Sequence, residues 1–260
     1  MKKFIRVVHS IIWWIDWIGA FLIGMAMYMI FWQKDRDTAR KAEYHWAGTL
    51  MTVGGIKLDI EGQDNLPDED ETVVYMVNHQ SDLDWPIIFR AIPGQYLFVA
   101  KQELFSVPIF GAYMKMKNYI PINRRRVRSS LKTFQNIIGL IKSGESIVIY
   151  PEGTRSYNEE LQKFKSFSFA FLQEAKVRVV PVAIGGSMKI IKKGSLLMNP
   201  GTVKVTILPP ISFNDLYDLD TKQFCSAASS RVREPLAAAL QRKDAVSEEV
   251  EDDIVIPDAI

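Results

Sequence analysis

The spacing of apolar residues changes character twice along the chain. Residues 4–32 are almost continuously apolar, interrupted in charge only by Arg6 and Asp16, which predicts a helix in or against a membrane. Residues 38–53 turn amphipathic, with Tyr44, Trp46, Leu50 and Met51 set among charged positions, and predict a second helix. After Gly54-Gly55 short β-rich runs appear at 56–61, 73–77, 96–100, 119–122, 146–150, 179–184 and 203–208. Helical spacing lies between several of them, clearest at 128–143, where Leu131, Phe134, Ile138 and Ile141 recur, and at 167–175. Strands alternating with helices predict an α/β fold: a mixed, largely parallel sheet covered by helices, preceded by a membrane-binding helical hairpin. Gly94, Gly144, Gly153 and Gly185-Gly186 fall at the turns.

The expected plan is a membrane-associated two-helix segment at 1–54, an α/β domain at 55–215, a C-terminal helical segment at 216–243, and an acidic tail at 244–260. Within the first segment the longest uninterrupted apolar run, 18–31, covers about 21 Å as a helix, short of the ~30 Å hydrocarbon core. Basic residues flank it on both sides, Lys2, Lys3 and Arg6 before and Lys34, Arg36, Arg40 and Lys41 after, as expected if both ends stay on the cytoplasmic side. Trp13, Trp14, Trp17 and Trp32 suit an interfacial belt. A hairpin seated in one leaflet is therefore the expectation, with a single-pass helix extended to Ile11 as the alternative.

Charge alters this picture where composition does not. The net charge of +2 conceals an acidic end with seven Asp and Glu and no Lys or Arg between Asp244 and Ile260. The other 243 residues carry 32 basic side chains against 23 acidic ones, a balance suited to an anionic membrane or phosphorylated ligands, with nucleic acid as the rival. No nucleic-acid module or aromatic ladder supports that rival. The tail's composition predicts a solvated, disordered end. One cysteine, Cys225, forms no intrachain disulfide, and three scattered histidines without paired cysteines argue against a metal centre.

The candidate chemistry begins at His79, which follows the apolar run 73–77, and strand C-termini are where α/β sheets build their sites. Asp84, five residues on, could orient an imidazole acting as a proton acceptor. No regular helix aligns i and i+5, so His79 is expected in the turn before a helix. Ser81-Asp82-Leu83-Asp84 equally has the form of a capping box, in which Asp84 is only a helix N-terminal carboxylate. His9 and His45 have Trp14 and Leu50 at the same offset, which leaves His79. A second constellation, Pro151-Glu152-Gly153-Thr154-Arg155-Ser156, follows another apolar run. There Pro ends a strand, Gly permits a tight turn, and Arg155 offers a planar fork for phosphate.

Asn78-His79 with Asp84 resembles the first motif of the lysophosphatidic acid acyltransferase family, PlsC-like glycerolipid acyltransferases, and residues 151–156 are similar to its third motif nearly letter for letter. Tyr119-Ile120-Pro121-Ile122-Asn123-Arg124 resembles the second motif and Val180-Pro181-Val182-Ala183-Ile184 the fourth, all in the family's order. The second motif departs where Asn118 and Asn123 stand for the usual Gly and Asp, and Phe164-Lys165-Ser166-Phe167 departs from a family Phe-Lys-Lys-Gly segment.

The resemblance implies transfer of an acyl group from acyl-CoA or an acyl carrier protein to the sn-2 hydroxyl of lysophosphatidic acid, giving phosphatidic acid. It implies His79 as general base, held by Asp84, and a glycerol-phosphate site from Arg124, Glu152, Gly153, Thr154 and Arg155, with Lys101 near the phosphate. No cofactor or metal is implied beyond the acyl-donor substrate. The implied partners are the lysophospholipid, the donor and membrane lipids, at the cell membrane with the catalytic domain on the cytoplasmic side. Arg125, Arg126 and Arg128 extend the basic cluster, as a solvated helix start or as a headgroup contact worth about 1 kcal/mol per residue. Other readings are acylation of another lysophospholipid or of glycerol 3-phosphate, or a non-catalytic basic protein of the membrane surface. A hydrolase lacks its Gly-x-Ser-x-Gly elbow.

Overall fold

The structure, a computed structural model, describes residues 2–31, 36–68, 70–123 and 127–248. Trp32, Lys34 and the Arg124–Arg126 triplet, all singled out from sequence, lie outside the described residues, as does 249–260.

Two helices open the chain, α1 (Lys2–Phe31) and α2 (Arg36–Val53), and they pack on each other. α2 is amphipathic as expected: Ala39, Glu43, Trp46, Ala47 and Leu50 recur at helical spacing and are buried. α1 meets it through His9, whose Nε2 lies 3.1 Å from Val53 O, and Trp13, whose Nε1 donates to Leu50 O at 3.0 Å. The opposite side of α1 leaves Phe4, Ile5, Val8, Ile11, Ile12, Ile15, Ile18 and Leu22 exposed. Their three- and four-residue steps make one apolar stripe along the helix. Among the described residues no helix is long and apolar enough to cross a membrane, so the single-pass alternative finds no span there.

Two expectations for this segment are corrected. Trp13 and Trp17 do not form an outward belt. Trp13 is 1% exposed, and Trp17 packs edge-on against Trp46 and Trp85. Hydropathy records that a residue is apolar, not whether protein or lipid covers it. Arg40 is not a flanking membrane charge either. It is buried, its guanidinium donating to Phe89 O, Ile92 O and Gly94 O at 2.9, 2.6 and 2.9 Å and to Tyr96 Oη at 2.7 Å. The Phe89 and Ile92 carbonyls lie at the C-terminal end of the helix α3 (Asp84–Ala91), so Arg40 satisfies acceptors that a helix C-terminus leaves orphaned. Glu43, one turn on, is held by Lys117 Nζ at 2.8 Å and Tyr113 Oη at 2.6 Å, which ties α2 to the helix α4 (Phe110–Met116).

All seven β-rich runs form strands: β1 (Ile56–Glu61), β2 (Val73–Val77), β3 (Leu97–Lys101), β4 (Ile120–Ile122), β5 (Ile147–Ile149), β6 (Arg178–Gly185) and β7 (Gly201–Ile207). They make one sheet in the order β1-β7-β6-β2-β5-β3-β4. Every pairing is parallel except β6 with β7. Hence β6, β2, β5, β3 and β4 point the same way, and the loops leaving their C-terminal ends share one edge. β2 and β5 are buried at every position, as strands covered on both faces must be. The helix α6 (Phe167–Ala175) packs against both α5 (Val127–Lys142) and α8 (Thr221–Glu248), and α8 also packs against β6. α8 runs past Lys243, so residues 244–248, assigned to the tail by composition, are helical.

Candidate active site

The site starts where β2 ends. Asn78 extends the ladder with its side chain, Nδ2 donating to Ile184 O at 2.8 Å and Oδ1 accepting from Ile184 N at 2.6 Å. This two-point lock to β6 fixes where the chain leaves the sheet and puts His79 at the shared edge. His79 Nδ1 lies 2.8 Å from Asp84 Oδ2. A carboxylate only accepts, so Nδ1 donates and Nε2 is left as the basic nitrogen. The His79 side chain is 23% exposed while that of Asp84 is fully buried.

Asp84 is the first residue of α3. Its Oδ2 also accepts from Gln80 N at 2.7 Å and Ser81 N at 2.9 Å, and its Oδ1 from Ser187 Oγ at 2.6 Å. Four donors therefore converge on one buried carboxylate, at a helix N-terminus whose dipole favours negative charge. The capping reading holds in altered form. Leu83, not Ser81, is the N-cap and makes no side-chain cap bond, while Ser81 Oγ donates to Ile191 O at 2.9 Å. The reach-back bond from Asp84 to Ser81 N and the bond to His79 coexist on the same oxygen.

The imidazole stacks on Tyr150, the last residue before the 151–156 turn, with ring centroids 4.2 Å apart and planes inclined by 21°. Burial, and then the charge of Asp84, raise the Tyr150 phenol well above its usual pKa, so it stays neutral and serves as an apolar backing.

The two motif turns are joined through the main chain of His79. Glu152 Oε1 accepts from His79 N at 2.6 Å, and Ser156 N donates to His79 O at 2.8 Å. Glu152 Oε2 accepts from Ser156 Oγ at 3.0 Å and Gln162 N at 2.8 Å. Burial pushes the Glu152 carboxyl above its usual pKa, and these bonds from His79 N, Gln162 N and Ser156 Oγ oppose the rise. Gly153 sits at φ 71°, a conformation that suits glycine, and its N–H donates to Tyr150 O at 3.0 Å. Glu152 and Gly153, placed in the glycerol-phosphate site by resemblance, thus have these polar groups engaged inside the protein.

The remaining expected residues form a looser rim. Arg155 Nη1 pairs with Asp82 Oδ2, so the turn after β5 reaches the loop between His79 and Asp84. Thr154 is exposed, its Oγ1 3.3 Å from Lys193 Nζ, which also donates to Arg155 O at 2.8 Å. Lys101, at the end of β3, is exposed with Glu103 Oε1 at 3.5 Å. Arg124 lies outside the described residues.

Sequence reasoning missed Ser187, Tyr150 and Lys193. Ser187 opens the short helix α7 (Ser187–Ile190) after Gly186, which adopts φ 90°. It lies 103 residues from the carboxylate it serves. Only the position after a strand and a glycine pair marked it in the sequence.

Comparison with known proteins agrees with this arrangement. A family model described as Acyltransferase matches residues 57–185, from β1 through β6. The chloroplastic 1-acyl-sn-glycerol-3-phosphate acyltransferases BAT2 of Brassica napus and LPAT1 of Arabidopsis thaliana are 33% and 32% identical over 77% and 83% of this chain. The chain spans 58% and 59% of their lengths. A 1-acyl-sn-glycerol-3-phosphate acyltransferase of Saccharomyces cerevisiae is 28% identical over 84% of the chain and 69% of its own length. The crystal structure of the 1-acyl-sn-glycerophosphate acyltransferase PlsC from Thermotoga maritima superposes with a TM-score of 0.79 at 25% identity, covering 94% of this chain and 98% of that one. With that match extending over the N-terminal helices as well as the sheet, the chain belongs to the PlsC-like acyltransferase family.

Proposed function

We propose that the protein transfers a fatty acyl group from an acyl thioester to the sn-2 hydroxyl of lysophosphatidic acid, giving phosphatidic acid at a membrane surface. The observation that carries the reading is the His79–Asp84 pair, 2.8 Å apart with Nδ1 bound, beside a turn that presents Arg155. His79 Nε2 takes the proton of the acceptor hydroxyl as its oxygen attacks the thioester carbonyl, and Asp84 stabilises the imidazolium. Collapse of the tetrahedral intermediate breaks the C–S bond, and the imidazolium returns the proton to the departing thiolate. No acyl-enzyme is needed, because the acceptor itself is the nucleophile.

Arg155 and Lys101, with Arg124 by resemblance, supply positive charge for the acceptor's phosphate; Thr154 lines that rim. Glu152 and Gly153 act one step back, holding the main chain of His79 and the shape of the turn. The donor is acyl-CoA or an acyl carrier protein. The exposed stripe of α1 rests on the cytoplasmic face of the cell membrane, where a soluble donor meets a bilayer-borne acceptor. Purified protein in micelles, given labelled acyl thioester and a panel of lysolipids and glycerol 3-phosphate, tests the reading. Preferential formation of phosphatidic acid is expected. Equal rates on acceptors without a phosphate monoester would overturn the assignment of the acceptor, and release of free fatty acid without transfer would overturn the reaction.

A further inference from the structure

Between α7 and β7 the chain makes an excursion whose neck is closed by an antiparallel bridge between Ile191 and Met198. Its turn is compact: Ser195 N donates to Lys192 O at 2.9 Å, Gly194 adopts φ 79°, and Leu197 N donates to Ser195 Oγ at 3.0 Å. One side of this loop meets the active-site rim. Lys193 Nζ donates to Arg155 O at 2.8 Å and sits 3.5 Å from the centroid of the Tyr157 ring. The other side meets the membrane helix. Trp14 Nε1 donates to Leu196 O at 2.7 Å, and Met198 N donates to Ser10 Oγ at 3.1 Å.

At the loop's tip Leu196 is 72% exposed, although its carbonyl is bonded to a residue of α1 lying between Ile11 and Ile15 of the apolar stripe. Lys192 is exposed as well. Among the described residues neither Lys192 nor Lys193 has a carboxylate within ion-pair distance, whereas Lys189 of the same segment has Glu159 at 3.7 Å. An apolar tip beside unneutralised lysines, continuous with an apolar helix face, fits the boundary of a bilayer bearing anionic headgroups.

We infer that the 191–198 loop is a second membrane-contact element, seating Leu196 in the interface beside α1 and Lys192 against anionic phospholipid headgroups. It rests on the membrane reading of α1 given above. Because the same loop holds Arg155 O through Lys193, bilayer contact occurs one hydrogen bond away from the rim that receives an anionic acceptor.

The test uses the full chain and sedimentation with vesicles of phosphatidylcholine alone or mixed with phosphatidylglycerol. Leu196→Asp should weaken binding to both about tenfold. Lys192→Gln should weaken binding only to the mixed vesicles, about fivefold and less at high salt. Both should keep the wild-type rate in excess neutral detergent. Ile15→Asp, on the α1 stripe, separates the two readings. If it releases the protein while the loop variants bind as wild type does, the loop is not a contact and α1 stands. If all three bind normally, both readings fall. A solvatochromic probe on Leu196→Cys gives a direct measurement, since the native Cys225 is buried. Its emission should shift to the blue on mixed vesicles, and a probe that stays water-like would overturn the proposal.

Discussion

The His79–Asp84–Glu152 centre and the Lys101–Arg155–Lys193 rim are built to opposite specifications. In the centre two carboxylates are buried and receive seven protein hydrogen bonds between them, four at Asp84 and three at Glu152. At the rim the cations are partly or mostly exposed: Lys101 and Arg155 each meet one carboxylate, and Lys193 meets Thr154, Arg155 O and the Tyr157 ring. Such a difference suits two tasks. Proton transfer needs a fixed donor–acceptor geometry, whereas charge recognition tolerates a mobile side chain in a wet setting. Damage to the centre should therefore appear in turnover, and damage to the rim in the acceptor's KM.

The largest effect is expected at His79. His79→Ala should lower kcat by about two to four orders of magnitude with little change in acceptor KM, measured by initial rates in micelles; substantial retained turnover would break the contrast. Asp84→Asn comes next. It leaves the imidazole without a carboxylate to hold Nδ1–H and should cost about two orders of magnitude or more in kcat. Because four donors converge on a buried carboxylate, it should also lower stability by about 1–3 kcal/mol, visible in thermal unfolding.

Smaller effects sharpen the comparison. Arg155→Ala should raise the KM for lysophosphatidic acid about tenfold, as loss of one charge-assisted bond implies, with kcat nearly unchanged. Ser187→Ala, acting through Asp84, should lower kcat severalfold to about tenfold. Ser187→Thr should restore it, and KM should not move in either variant. The smallest effect concerns pH. The Glu152 pKa is raised above its usual 4.5, so its contribution to stability is fully present below that value and is lost as pH rises through the folded-state pKa. The unfolding free energy of wild type minus that of Glu152→Gln should therefore fall with pH across that window. A difference that rises instead would mean the three hydrogen bonds outweigh burial.

Much of this fold was legible in the sequence because alternation of short apolar runs with 3.6-residue periodicity has few solutions. All seven strands follow from it, with ends displaced by a residue or two, while the short helices α3, α4 and α7 carry too few turns to show a period. The pairing of His79 with the 151–156 turn was legible through motif order. Its physical basis, Glu152 gripping the main chain of His79 across 73 residues, was not, since side-chain-to-backbone bonds leave no spacing signature. The same holds for Lys193 and Arg40, while the side-chain bond from Ser187 to Asp84 spans 103 residues. Arg40 is misread from sequence for a definite reason: an arginine after an apolar run resembles a membrane flank unless the carbonyls it caps are seen.

That cap has a mechanical consequence. Helix α3 is eight residues long, a rod of about 12 Å, with Asp84 at one end and the acceptors of Arg40 at or beyond the other. The hairpin and the Asp84 carboxylate thus sit at opposite ends of a single strut. Drawing α2 away would strip the far end of its guanidinium and leave buried carbonyls unpaired. The N-terminal hairpin is accordingly a brace for the helix that carries Asp84, bonded into the α/β domain through Arg40 and Glu43.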